Sequence, residues 1–134
     1  MQAMNYSLEL LPDEPILVIH YHEGFSQSKD AAKVAADLKA VLDAQTEPTI
    51  MVHVGFPTRM GLDDLIQASN LATNMTGVFR HPNVKLIISV TKDVMLNLAA
   101  RGLRSPVFGN INMETYPTFD EAMARAHEVA LTPA

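Results

Sequence analysis

Lys85-Leu86-Ile87-Ile88-Ser89-Val90 is one of three short runs that are apolar at nearly every position; the others are Ile16-Leu17-Val18-Ile19 and Thr49-Ile50-Met51-Val52. After each run, apolar residues recur every three or four positions, as in an amphipathic helix. Strands that are apolar on both sides belong in a sheet covered on both faces, and strand–helix alternation joins parallel strands through right-handed crossovers. The sequence therefore predicts an α/β fold.

Further elements flank these three strands. Tyr6–Leu10 alternates apolar and polar residues, and Pro12-Asp13-Glu14-Pro15 is a turn, so we expect a leading antiparallel hairpin with its first strand at a sheet edge. The second strand is expected to run to about Glu23. Residues 110–115 alternate like another edge strand. Thr118-Phe119-Asp120-Glu121 is a capping box that predicts the start of a closing helix.

About four helices are expected. The residues that define their inward faces, in chain order, are Ala31, Val34, Ala35, Leu38, Val41 and Leu42; Leu62, Leu65, Ile66, Ser69 and Ala72; Met95, Leu98 and Ala99; and Phe119, Ala122, Met123, Ala126 and Val129. The prediction is one α/β domain over residues 1–134, with a mixed four- or five-stranded sheet built from the leading antiparallel hairpin and parallel βα units.

Composition narrows the classes of function. The chain has 134 residues, no cysteine and a formal net charge of -5, with its ten lysines and arginines scattered. These features argue against disulfides, thiol catalysis and nucleic-acid binding, which needs a basic surface. Residues 1–11 lack a cationic start and an apolar stretch, and no window approaches a membrane span of roughly 20 apolar residues. We therefore expect a cytoplasmic protein that binds neither membrane nor nucleic acid.

The element order resembles the STAS family, the anti-sigma-factor-antagonist-like domains, over nearly the whole chain. Bacterial members carry Asp-Ser-Ser/Thr-Gly-Leu-x-x-Leu after the third strand, and a partner kinase phosphorylates the first serine. This chain reads Thr58-Arg59-Met60-Gly61-Leu62-Asp63-Asp64-Leu65 there. Gly61, Leu62 and Leu65 match, whereas Arg59 occupies the phosphoacceptor position. The resemblance implies the shape of a partner-binding loop without the usual phosphoserine switch.

That loop is the first candidate site, because ligands and partners of parallel α/β sheets meet the loops beyond the carboxyl ends of the strands. Apolar and arginine side chains suit a protein contact. The candidate partner-binding residues are Phe56, Thr58, Arg59, Met60, Gly61 and Leu62. The alternative is that Phe56 and Met60 only pack beneath the loop.

Histidines supply the second candidate site. His20 and His22 are two positions apart on one strand and so share a face, and His53 lies near the end of the next strand. These three imidazoles are candidate ligands for zinc or another divalent metal. Alternation alone does not tell which face His53 occupies relative to His20, and histidines with satisfied ring nitrogens at strand ends are the simpler interpretation. His22 and Thr91, both at strand ends, are candidates for the rim of a ligand site.

The sequence contains no recognisable catalytic motif: the Walker, Gly-x-Gly-x-x-Gly and Gly-x-Ser-x-Gly patterns are all missing. We predict a non-enzymatic regulatory or protein-interaction module with a protein partner, a tendency to form a homodimer, and no cofactor. Two alternatives stay open. One is a carrier of a small apolar ligand within the methionine-rich interior, and the other is a metal-dependent enzyme using His20, His22 and His53.

Overall fold

The computed structural model describes residues 5–22, 27–55, 81–92, 98, 101 and 112–131. These residues form five strands and two helices: β1 (Tyr6–Leu10), β2 (Ile16–Tyr21), α1 (Gln27–Asp43), β3 (Thr49–Val54), β4 (Val84–Val90), β5 (Met113–Tyr116) and α2 (Phe119–Ala130). The predicted α/β class is confirmed.

All five strands belong to one mixed sheet in the order β1-β2-β3-β4-β5. β1 pairs with β2 antiparallel, and every later pair is parallel. The leading hairpin and the two predicted edge strands are therefore confirmed. β2 ends at Tyr21 rather than near Glu23. The second edge strand was expected over residues 110–115; β5 begins after Asn112 and ends at Tyr116, and residues 110 and 111 lie outside the described part of the chain.

The two faces of the sheet pack on different helices, which explains why the central strands are apolar throughout. Leu17 and Ile19 of β2 join the core beneath α1, whereas Ile16 and Val18 join the core beneath α2. All four side chains are buried. Burying each such side chain contributes about 1.5–3 kcal/mol, so the alternating residues hold both layers onto the sheet.

Helix α1 lies on the sheet through the predicted stripe. Val34, Leu38 and Leu42, spaced by four residues, are buried in the same core cluster as Leu17. At the carboxyl end of the helix, Asn83 Nδ2 donates to Leu42 O at 2.9 Å. The same carbonyl accepts from the Gln45 N–H at 3.1 Å, and the bond from Asn83 ties the end of α1 to the segment entering β4.

Helix α2 begins at the predicted cap, where Thr118 Oγ1 accepts a hydrogen bond from the Glu121 N–H at 3.2 Å. Ala122 and Ala126 are its buried residues. Phe119 was expected in the inward face but is 41% exposed, and the first buried residue of the helix is Ala122. Neither described helix combines the length and the apolar character needed to cross a membrane.

The two remaining expected helices, around Leu62–Ala72 and Met95–Ala99, fall outside the described residues except for Leu98. The backbone at Leu98 is helical. Its side chain is 51% exposed, so the expectation that Leu98 faces the core is wrong.

Candidate functional site

Polar side chains follow apolar ones along three parallel strands on the face that packs against α1. In β3 the face passes from Met51 to His53. In β4 it passes from Ile87 to Ser89, and in β5 from Met113 to Thr115. The strand register pairs His53 with Ser89 and Ser89 with Thr115. Because paired residues of parallel strands point to the same side, these three residues form a polar row across the sheet near its carboxyl edge. We call His53, Ser89 and Thr115 the polar row.

One end of the polar row is completed by Tyr21, the last residue of β2. Its hydroxyl oxygen lies 2.7 Å from His53 Nδ1. The two rings are stacked, with centroids 5.7 Å apart and planes inclined by 13°. Both side chains are buried, so this is a hydrogen-bonded polar pair inside the core.

Burial keeps the Tyr21–His53 pair neutral. It raises the pKa of Tyr21 above its ordinary value and lowers the pKa of His53 to about 4, because both charged forms lose their hydration inside the protein. Between a neutral phenol and a neutral imidazole, the tautomer of the imidazole decides which group donates this hydrogen bond. A histidine with this pKa is a poor general base at neutral pH, so the pair suits positioning and neutral hydrogen bonding rather than proton transfer.

Gly55 turns the chain out of β3 directly beside Tyr21. Its φ of 81° lies in the left-handed region. A Cβ built on Gly55 would stand 2.5 Å from the carbonyl oxygen of Tyr21, closer than atoms can approach. Only glycine fits this position, for both its backbone angle and its contact. The start of the loop after β3 is thereby held against the end of β2.

The candidate partner-binding residues follow immediately. Phe56, Thr58, Arg59, Met60, Gly61 and Leu62 all lie outside the described residues. The described part of the carboxyl edge therefore defines where this loop begins.

The two candidate rim residues lie at the same edge but are not brought together. The buried Thr91 follows β4, and its N–H donates to Tyr116 O at 2.8 Å. His22 is exposed, and its Nε2 lies 3.2 Å from Ser7 Oγ on β1. β3 stands between them, so His22 belongs to the hairpin side of the edge and Thr91 to the other.

The three candidate metal ligands are also separated. His53 pairs with Ile19 and faces α1, whereas His20 pairs with Val54 and faces the opposite side. His20 and His22 share a side, as predicted: their Nε2 atoms lie 3.3 Å from Glu9 Oε1 and 3.2 Å from Ser7 Oγ, both on β1. Within the described ranges, no group of three or more histidine, aspartate or glutamate side chains is arranged to hold a metal ion.

The other two histidines tie elements together at the amino-terminal edge of the parallel strands. His81 Nε2 lies 2.6 Å from Asp43 Oδ1 at the end of α1. His127 Nδ1 of α2 lies 2.6 Å from Glu14 Oε2, in the turn before β2. Both contacts join segments distant in sequence, so they hold the fold at the edge opposite to Gly55.

The Tyr21–His53 pair and the polar row are absent from the sequence-based prediction. Each change from apolar to polar is visible as a two-residue step along its strand. The register that aligns Ile19 with His53, and His53 with Ser89, is set by pairing between distant segments and is not readable from either strand alone.

Comparison with known proteins found no match: no family model, no curated protein and no solved structure matches this chain.

Proposed function

We propose that this protein is a cytoplasmic regulatory module, STAS-like in architecture with about four helices, which binds a protein partner through the loop of residues 56–62. The resemblance rests on the order of elements and on Gly61, Leu62 and Leu65. A leading antiparallel hairpin, successive parallel strands and a terminal amphipathic helix are the arrangement that the resemblance implies. Their presence supports the proposal without identifying the partner.

The observation that carries the proposal is the close contact of Gly55 with Tyr21. A loop that binds a partner loses less conformational entropy when its start is already fixed. Here the positive φ of Gly55 and its approach to the Tyr21 carbonyl set the direction in which the loop leaves β3. The buried pair of Tyr21 with His53 in turn holds Tyr21 in place.

Arg59 determines how such a loop would work. A guanidinium is charged at all physiological pH values and offers five donors, whereas a serine gains charge only on phosphorylation. Docking would therefore be constitutive rather than switched by a kinase. Thr58 is the hydroxyl nearest to Arg59 in the loop sequence. Stoichiometric phosphate on Thr58 in protein from its native host would contradict this part of the proposal.

The test begins by cross-linking the protein in its native host and identifying the linked protein by mass spectrometry. Binding is then measured by calorimetry with that purified partner. Arg59→Ala is expected to weaken binding by at least about tenfold, as loss of an interface arginine of hot-spot character does. Arg101→Ala is the matched control, since Arg101 is exposed and lies outside the loop. Equal affinities for the two variants would contradict loop docking.

Native mass spectrometry of the purified protein separates this proposal from its alternatives. A bound small apolar molecule at unit stoichiometry would favour a ligand carrier, and a bound metal ion would favour the metal-dependent enzyme. A protein complex with neither favours the module proposed here.

Self-association belongs to the same proposal. β1 and β5 are the edges of the sheet, and edge strands present backbone groups that can pair with a second chain. We expect a homodimer by light scattering at high protein concentration. A mass of 14.7 kDa under those conditions would show a monomer and contradict the dimer.

A further inference from the structure

The outer edge of β1 presents backbone groups that can pair with another strand. Just beyond the strand, the Leu11 N–H donates to Ile16 O at 3.0 Å, so the odd-numbered residues of this segment exchange hydrogen bonds with β2. Backbone groups alternate in direction along an antiparallel pair, so those of Leu8 and Leu10 point away from β2. Within the described part of the chain, these outward groups have no hydrogen-bond partner.

An exposed apolar side chain lies on the same strand. Tyr6, Leu8 and Leu10 share the face toward α1, where Tyr6 is buried and Leu8 is partly buried against the core. Leu10 is 44% exposed, and among the described strand residues it is the only large apolar side chain that is exposed. Open backbone groups next to an exposed leucine are the features that favour strand pairing between chains.

The opposite edge of the sheet is less suited to such pairing. β5 has four residues, whereas β1 has five, and Pro117, which has no N–H, follows β5 directly. The charged side chain of β5, Glu114, is already held by Arg125 of α2. Short strands, charge and proline are the devices that protect sheet edges.

We infer that this protein self-associates through β1, which pairs antiparallel with β1 of a second copy so that Leu8 stands opposite Leu8 of that copy. The inference rests on the self-association proposed above and names its surface. In this register the outward backbone groups of the two Leu8 residues bond to each other. Leu10 stands opposite Tyr6 of the second copy, so pairing covers the exposed leucine.

Charge distinguishes this register from its neighbours. With the two-fold axis at Leu8, Glu9 stands opposite Ser7 of the second copy. An axis at Glu9 would place two carboxylates directly opposite each other, which is destabilising. An axis at Ser7 would leave Leu10 opposite residue 4, before the start of β1, and therefore without a strand to cover it.

Single cysteines test this register, because the chain has no cysteine of its own. In Leu8→Cys the two thiols belong to a hydrogen-bonded pair with Cα atoms about 5.5 Å apart, a separation that a disulfide spans. In Leu10→Cys the two positions are offset by four residues, more than about 13 Å. With oxidised glutathione, we expect a disulfide-linked dimer on a non-reducing gel from Leu8→Cys and none from the more exposed Leu10→Cys.

Charge variants at the exposed Ser7 give an independent test that does not alter the core. Ser7→Lys should lower the dissociation constant of the dimer and Ser7→Glu should raise it, because each faces Glu9 of the second copy. The expected change is roughly two- to thirtyfold in each direction, since the two-fold axis repeats each charge pair. Sedimentation at several concentrations measures it. Ala124→Lys and Ala124→Glu are the matched controls, because Ala124 is exposed on α2 and outside β1.

The outcomes separate this inference from the proposals before it. A monomer at high concentration would contradict self-association and the β1 surface together, without bearing on docking through the loop after Gly55. A dimer that Leu10→Cys cross-links as readily as Leu8→Cys, or that responds alike to Ser7→Lys and Ser7→Glu, would overturn the β1 register alone. Selective cross-linking of Leu8→Cys with normal circular dichroism, together with opposite effects of the two Ser7 variants, would establish it.

Discussion

The two faces of the sheet are both buried, but they differ near the carboxyl ends of the strands. On the face under α2, valines continue the apolar core: Val52 is followed by Val54, and Ile88 by Val90. On the face under α1, the same strands pass from Met51 to His53 and from Ile87 to Ser89. Near the carboxyl ends of β3 and β4, adjacent residues therefore point to an aliphatic layer on one face of the sheet and to the polar row on the other.

The aliphatic layer under α2 stabilises the fold, whereas the polar row under α1 consists of side chains that the fold positions. Polar groups in a core cost free energy unless they are hydrogen-bonded, and an apolar residue of similar size would avoid that cost. A local break in an otherwise consistent pattern is expected at functional positions. In β3 and β4, the face under α1 departs from the apolar pattern at the edge from which the candidate docking loop leaves, whereas the face under α2 does not.

The largest expected effect tests whether both faces are equally packed. Ile87 and Ile88 are consecutive, fully buried and directed to opposite faces. Replacing either by alanine should lower the free energy of unfolding by about 2–5 kcal/mol, through lost burial and the cavity left behind. Urea denaturation measures both. A cost below about 1 kcal/mol for Ile87→Ala alone would mean that the face under α1 is loosely covered.

A second prediction concerns pH and applies to the face under α1 only. The pKa of His53 falls from 6.5 to about 4 on folding, so the unfolded chain binds more protons between these values. Stability from this group is complete above pH 6.5 and is lost as the pH falls toward 4. The loss should reach about 3 kcal/mol.

His53→Gln supplies the comparison for that pH dependence. The variant keeps a polar side chain and removes the titrating ring, so the difference between its denaturation curves and those of the wild type isolates His53 from the other four histidines. Parallel curves for the two proteins between pH 4 and 6.5 would show that His53 does not titrate as a buried group.

A third prediction isolates the contact between Tyr21 and His53 by a double-mutant cycle. Tyr21→Phe and His53→Leu should each cost about 1–3 kcal/mol, since each leaves a buried polar partner without this bond. The double variant should cost less than the two single costs together, by about 1 kcal/mol. Additive costs would mean that the 2.7 Å contact contributes nothing of its own.

The elements themselves were largely predictable from the sequence. The apolar runs fixed the central strands because residues buried on both sides must all be apolar, and Thr118 with Glu121 located the start of α2 because capping is a local interaction. The predictions that Phe119 and Leu98 face the core were wrong, because helical spacing shows which residues share a face but not how much of that face contacts the sheet.

The candidate site was less predictable, for a physical reason. The shared side of His20 and His22 was predictable from their spacing of two positions within one segment. The separation of His53 from His20 depends on the register between β2 and β3, and the contact of His20 with Glu9 depends on the register between β1 and β2. Pairing across strands is a tertiary property, so a single strand does not encode it.

The smallest expected effect lies on the face under α2, at its rim. Arg125 of α2 donates from Nε and Nη2 to the two carboxylate oxygens of Glu114, at 2.9 and 3.1 Å. Arg125→Lys keeps the charge but cannot make both bonds, since an ammonium lacks the planar fork of a guanidinium. Both side chains are partly exposed, at 34% and 20%, so solvent weakens the pair. The expected loss is below about 1 kcal/mol in urea denaturation.

Glu128→Gln is the control, because Glu128 is 71% exposed and contacts the same arginine from within the helix. A loss of several kcal/mol in Arg125→Lys would mean that this rim, and not the aliphatic layer, holds α2 on the sheet, and the contrast between the two faces would then have to be redrawn.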